Sequence, residues 1–219
     1  MDGWGIGFFK KNRAYVEKSA ARAYHEGRFH DGFQRLARVV SSKFIIAHVR
    51  LRTSGPIDEC HAHPFVLQFK GQDWIFAHNG KAPAIESYRS EKVRMEDAVS
   101  DSARTFEYLL DGIAARYARS NNICCLFAAV ADTSRQLIEE YPGSYNYLLS
   151  NGWVLFAFSN HRQFLLLKGI AHDVGLPIPG ATFPSRLDLP REYVALPGPR
   201  RFPMRRTPPL RPPRARGVH

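Results

Sequence analysis

Cysteine is scarce in this 219-residue chain. Cys60, Cys124 and Cys125 are three, two of them adjacent, which excludes a disulfide framework and suits a reducing cytoplasm. No run of about 18 apolar residues exists, so no membrane-spanning helix is expected. The amino terminus, Met1-Asp2-Gly3-Trp4-Gly5, has neither the basic region nor the apolar stretch of a secretory signal. These absences argue against a membrane or secreted protein and for a cytoplasmic one. What is present, 44% hydrophobic and 23% charged residues, describes one globular domain with a core of ordinary size.

Acidic residues are missing altogether from the end of the chain. Seven of the net eleven positive charges are arginines between Arg200 and Arg216, which leaves only +4 for residues 1–199. The basic character therefore belongs to the tail, and the domain itself carries no electrostatic signature of nucleic-acid binding. Leu196 to His219 also holds seven of the fifteen prolines, among them Pro208, Pro209, Pro212 and Pro213, which deny the backbone both helix and ladder. The expected organisation is a domain over 1–190 and a disordered Arg/Pro-rich tail over 191–219. The plain reading of the tail is a solvated segment. Polyanion binding, proline recognition and a shifted GC-rich reading frame are its alternatives.

Within the domain the apolar period changes several times. Trp4 to Phe9 and Lys43 to Arg50 read as strands, and Phe65 to Phe69 with Asp73 to His78 as a hairpin turned through Lys70-Gly71-Gln72. Asp101 to Arg119 shifts to helical spacing, with Phe106, Leu109, Leu110, Ile113 and Tyr117 on one face and Ser100 as N-cap. Ile123 to Tyr141 is open between a buried strand and a second helix, the helix fitting better. Tyr145 to Leu149 and Trp153 to Phe158 form a hairpin in which Asn151-Gly152 is expected to supply positive φ, and Gln163 to Leu167 would complete a meander. Strands, two central helices and further strands imply an α+β fold.

Four segments place polar residues or glycines where strands end, which is where sites are built. They are Asp2-Gly3-Trp4-Gly5-Ile6-Gly7-Phe8, Ala47-His48-Val49-Arg50, His63-Pro64-Phe65 and Ala77-His78-Asn79-Gly80, with Ser100-Asp101-Ser102 at a helix start. Each has an ordinary explanation alone: His-Asn-Gly makes a good turn, and Asp101 would oppose the helix dipole. Cys60, His61 and His63 are metal-ligating types, but their close spacing is not the wider, paired spacing of zinc sites, so no metal and no cofactor is expected.

Together and in this order the segments resemble the class II glutamine amidotransferase family, N-terminal-nucleophile hydrolases with a four-layer αββα sandwich of two mostly antiparallel sheets. The resemblance runs from Asp2 to about Leu167. It implies that Arg50 holds the α-carboxylate of glutamine, a task suited to a planar guanidinium with two parallel donors. It implies that the Asn79 side-chain amide and the Gly80 N–H form an oxyanion hole, that Asp101 takes the α-amino group, and that His78 belongs with these substrate-binding residues. The implied partner is glutamine or a γ-glutamyl small molecule.

The family's nucleophile is a cysteine at the mature N-terminus whose own α-amino group serves as base. None of the three cysteines occupies that place, and the Asp-Gly-Trp-Gly motif already stands at position 2. The expectation is an N-terminally truncated chain that hydrolyses glutamine or a γ-glutamyl amide when an upstream cysteine exists. The alternative is a non-catalytic binding or regulatory domain of the same fold. The Ser-Glu-Pro-like loop of the family is not recognisable between Lys168 and Pro190.

Overall fold

The computed structural model describes residues 3–25, 28–29, 31–50, 59–93, 95, 100–117, 122–164 and 194–197. In chain order the elements are β1 (Trp4–Lys10), β2 (Arg13–Ser19), β3 (Tyr24–His25), β4 (Arg28–Phe29), α1 (Asp31–Val39), β5 (Ile45–Val49), β6 (Phe65–Phe69), β7 (Gln72–His78), α2 (Asp101–Arg116), α3 (Ile123–Glu140), β8 (Asn146–Ser150), β9 (Val154–Ser159) and β10 (Val194–Pro197). One sheet has the order β2-β1-β5, a second the order β10-β9-β8-β7-β6, and β3 and β4 form a two-residue ribbon. Every strand pair among the described residues is antiparallel.

The side-chain alternation of the strands stacks these elements in four layers. Trp4, Ile6 and Phe8 on one face of β1 pack against Phe33 and Leu36 of α1. Phe9 on the other face joins Ile46 of β5 and Ile75 and Ala77 of β7 between the two sheets. Trp74 and Phe76, pointing the opposite way from β7, meet Tyr147, Leu149, Phe156, Phe158 and the buried faces of α2 and α3. The sheets lie unusually close where a Cβ on Gly5 would stand 2.3 Å from the His63 carbonyl oxygen, so the Gly-x-Gly of β1 is a packing requirement of the His63-Pro64 segment. The α+β expectation of two antiparallel sheets with helices outside is met.

Local chemistry accounts for most boundaries. Ser100 caps α2 by accepting from the Ala103 N–H, and the second central segment is a helix capped by Asn122, whose side chain accepts from the Cys124 N–H. The tight turn expected at Asn151-Gly152 is wider than the sequence suggested. Only Gly152 has positive φ (81°), while Asn151 Oδ1 accepts from the N–H groups of Trp153 and Val154, so the loop takes three residues and Trp153 falls outside the strand. The hairpin β1–β2 turns through Lys11 and Asn12, both at positive φ. Neither β2 nor α1 stands out in the sequence, because β2 alternates exposed with half-buried residues and α1 buries no residue fully. Gln163 and Phe164 are not in a strand, and 165–167 lie outside the described residues, as do 118–119 and all of 191–219 except β10. β10 pairs with β9 at Val154 to Ala157. No helix among the described residues is long and apolar enough to cross a membrane.

Candidate functional site

The ends of β5 and β7 and the start of α2 open onto one cavity of about 620 Å³. Arg50, His78, Asn79, Gly80 and Asp101, separated by up to about 50 positions in sequence, all line it. Turn formers and cap residues would have no reason to meet in this way. Arg50 follows directly on β5, is 9% exposed, and is tied by its backbone N–H to the Gly3 carbonyl at 2.9 Å. A buried guanidinium opening onto a cavity attracts a carboxylate, since the planar group can give it two parallel hydrogen bonds.

Asn79 and Gly80 leave β7 at its C-terminal end and are solvent-exposed. Their backbone is held from β8. The Asn79 N–H donates to the Asn146 carbonyl at 2.8 Å, and the buried Asn146 side-chain amide returns a bond to the Asn79 carbonyl at 2.8 Å. Asn146 Oδ1 accepts in turn from Ser159 Oγ and the Arg162 N–H, so one buried amide fixes three segments around the cavity. Lys81 and Ser144 exchange backbone bonds at 3.2 and 2.9 Å, pressing Gly80 against the Ser144 segment.

Asp101 is the first residue of α2, where the helix dipole favours an anion. Its Oδ2 accepts from the Ala82 N–H and its Oδ1 from the Ser102 N–H, both at 2.7 Å, which fixes the carboxylate at the cavity wall. His78 bridges the neighbouring segments, with Nδ1 2.9 Å from Ser102 Oγ and Nε2 3.1 Å from the Ser144 carbonyl.

His48 and His63 line the same cavity beside His78. His48 and His63 stand with ring centroids 4.5 Å apart, and among the described residues neither Nδ1 has a hydrogen-bond partner. Burial first, then the neighbouring His78 and Arg50, pushes His48 down to about 4; burial first, then His48, His78 and Lys18, holds His63 well below the usual histidine range. Burial also lowers His78, opposed by its bond to Ser144 and by the Asp101 charge. All three are thereby biased toward the neutral ring. Among the described residues no group of three or more His, Cys, Asp or Glu has the arrangement to hold a metal ion. Cys60, Cys124 and Cys125 are exposed, and none of them lines the cavity.

Sequence reasoning found the residues at strand and helix ends but missed Ser144, Asn146, Glu86, His161 and Arg162. Glu86, Ser144, His161 and Arg162 enter the lining through the Pro83–Ile85 turn and the flanks of the β8–β9 hairpin. No motif announces them. Asn146 could have been found from its place as an Asn at the start of a buried strand, where a buried amide needs several partners.

The family model for class-II glutamine amidotransferases matches residues 1–173. A Haemophilus influenzae protein bearing the name "Putative glutamine amidotransferase" is 26% identical over 179 residues, 79% of this chain and 58% of that protein. The Escherichia coli K12 protein "Putative glutamine amidotransferase YafJ" is 28% identical over 160 residues, 72% of this chain and 60% of its own length. The chain thus spans about three fifths of these relatives. A 2.0 Å crystal structure of a Pseudomonas aeruginosa PA01 protein, titled a "predicted glutamine amidotransferase", superposes with a TM-score of 0.51 at 21% identity, over 72% of this chain and 60% of that one. That likeness is one of fold.

Proposed function

The chain belongs to the class-II glutamine amidotransferase family, and from that premise we propose that its cavity binds the glutamyl end of a small molecule, L-glutamine or a γ-glutamyl amide. Arg50 takes the α-carboxylate and Asp101 the α-ammonium, while His78 holds the walls between them. One buried cation and one anchored anion in a single cavity select a free amino acid or a γ-glutamyl group over a polymer, which has neither terminus to offer at that position. The side-chain amide of such a ligand extends toward Asn79 and Gly80, whose amide and N–H stabilise the oxyanion formed when its carbonyl is attacked. The observation that carries this reading is the convergence of Arg50, Asn79, Gly80 and Asp101 on one cavity.

Hydrolysis also calls for a nucleophile at the carbonyl. In the family reading it is a cysteine at the mature N-terminus, and where one is supplied the reaction is amide hydrolysis with release of ammonia. A second reading is a non-catalytic glutamyl-binding domain of the same fold. Calorimetry with L-glutamine and γ-glutamyl amides, coupled to an ammonia assay, separates the two. Binding by the 219-residue chain, weakened at least about 10-fold by Arg50→Ala and by Asp101→Asn, is expected in both. Ammonia release by a version extended upstream to an encoded cysteine selects the first. No binding by the wild-type chain at millimolar ligand overturns both.

A further inference from the structure

The hydrogen bonds around His78 have a fixed polarity. The Ser144 carbonyl can only accept, so Nε2, 3.1 Å away, carries its hydrogen whether the ring is neutral or charged. The neutral ring therefore presents a lone pair at Nδ1. Ser102 Oγ, 2.9 Å from it, must donate its single hydrogen there. That hydrogen is then withheld from Asp101 Oδ1, which lies 3.2 Å from the same oxygen and receives the Ser102 backbone N–H at 2.7 Å. A lone pair of Oδ1 stays open. When Nδ1 gains a proton from solvent the first bond reverses: Nδ1–H donates to Oγ, and the hydroxyl rotates to donate to Asp101.

We propose that Ser102 is a positioning residue whose hydroxyl couples His78 to Asp101, so that neutral His78 leaves Asp101 open to the ammonium of a bound glutamyl compound and protonated His78 closes it. This rests on the reading of Asp101 as the ammonium partner. No proton crosses from ring to carboxylate; the hydroxyl only changes direction. Ser102 is 5% exposed and His78 2%, so bulk water does not compete for either bond. The charged and titratable groups around His78 are Asp101 from α2, His48 and Arg50 from the end of β5, His63 from the segment before β6, and Tyr145, whose ring stacks on His78 at 5.7 Å. Burial opposes the charged ring, while the Ser144 bond and the Asp101 charge favour it.

The test is nitrogen-15 NMR of the imidazoles in the full chain, with L-glutamine calorimetry on both sides of the His78 titration midpoint read from the same spectra. The expected wild-type spectrum shows the Nε2–H tautomer with Nδ1 shifted as a hydrogen-bond acceptor. Ser102→Ala should abolish that shift, and Ser102→Thr, which keeps the hydroxyl, should restore it. Glutamine affinity should fall about 5- to 10-fold below the midpoint in wild type and in Ser102→Thr, the worth of about one hydrogen bond, and clearly less in Ser102→Ala. An Nδ1–H tautomer in wild type overturns the coupling. So does an unchanged spectrum and pH response in Ser102→Ala while glutamine binds and Asp101→Asn abolishes that binding. Spectra that behave as expected in a protein that binds no glutamine overturn the ammonium reading on which the proposal rests, and the two failures are thereby told apart.

Discussion

A Cβ on Gly80 would stand 1.8 Å from the carbonyl oxygen of Ser144 and 2.6 Å from His78 Nε2. Neither neighbour can yield cheaply, because the Ser144 backbone is locked to Lys81 by reciprocal bonds and His78 is held at both ring nitrogens. Gly80→Ala is therefore expected to cost about 3 kcal/mol, the upper end of the usual range for overpacking, and to abolish glutamyl binding by spreading the cavity wall. Urea denaturation and calorimetry check it. A loss under about 0.5 kcal/mol, the level of an ordinary surface change, would mean that the β7–β8 connection is more pliant than its hydrogen bonds imply.

The legible parts of this fold are those where a short-range pattern and a buried face coincide. β7 could be read because Trp74, Ile75, Phe76 and Ala77 are all buried, and α2 because its cap and its apolar stripe agree. β2 could not, since its Glu17 and Lys18 look like loop residues until β1 supplies the other half of the ladder. The same division runs through the site. Arg50, Asn79 and Asp101 stand at element ends where sequence can be searched, but Ser144 reaches the site through backbone contacts formed by strand pairing across more than sixty residues. Such contacts leave no local trace. The asymmetric role of Ser102 was equally hidden, because it depends on which atom of His78 faces a carbonyl.

Asp73 joins the two sheets. Its buried carboxylate accepts from the Ala14 N–H at 2.9 Å and meets Arg13 Nε at 3.1 Å. Arg13 is 67% exposed, so its half of the interaction is screened and Arg13→Ala should cost no more than about 1 kcal/mol. Asp73→Ala leaves the Ala14 N–H without its charged acceptor, and a loss of about 2–3 kcal/mol is expected. Glutamyl affinity should be unchanged in both, since neither residue lines the cavity. Equal losses in the two variants would show that the ion pair, not the backbone bond, holds the sheets at this corner.

His48, His63 and His78 should make the protein sensitive to mild acid. Each prefers to be neutral when folded, because burial opposes the charge, whereas in the unfolded chain each takes a proton near the ordinary value of about 6.5. The unfolded state thus binds more protons below that point. Stability is fully present above about pH 6.5 and falls as the pH drops toward the folded-state values, about 4 for His48 and displaced in the same direction for the other two. Each histidine contributes a slope of up to about 1.4 kcal/mol per pH unit inside its window. Urea midpoints between pH 7.5 and 5, above the range where ordinary carboxylates titrate, should fall steadily, and His48→Gln should flatten the slope. A midpoint constant from pH 7.5 to 5 would mean that water reaches these rings and that burial does not hold them neutral.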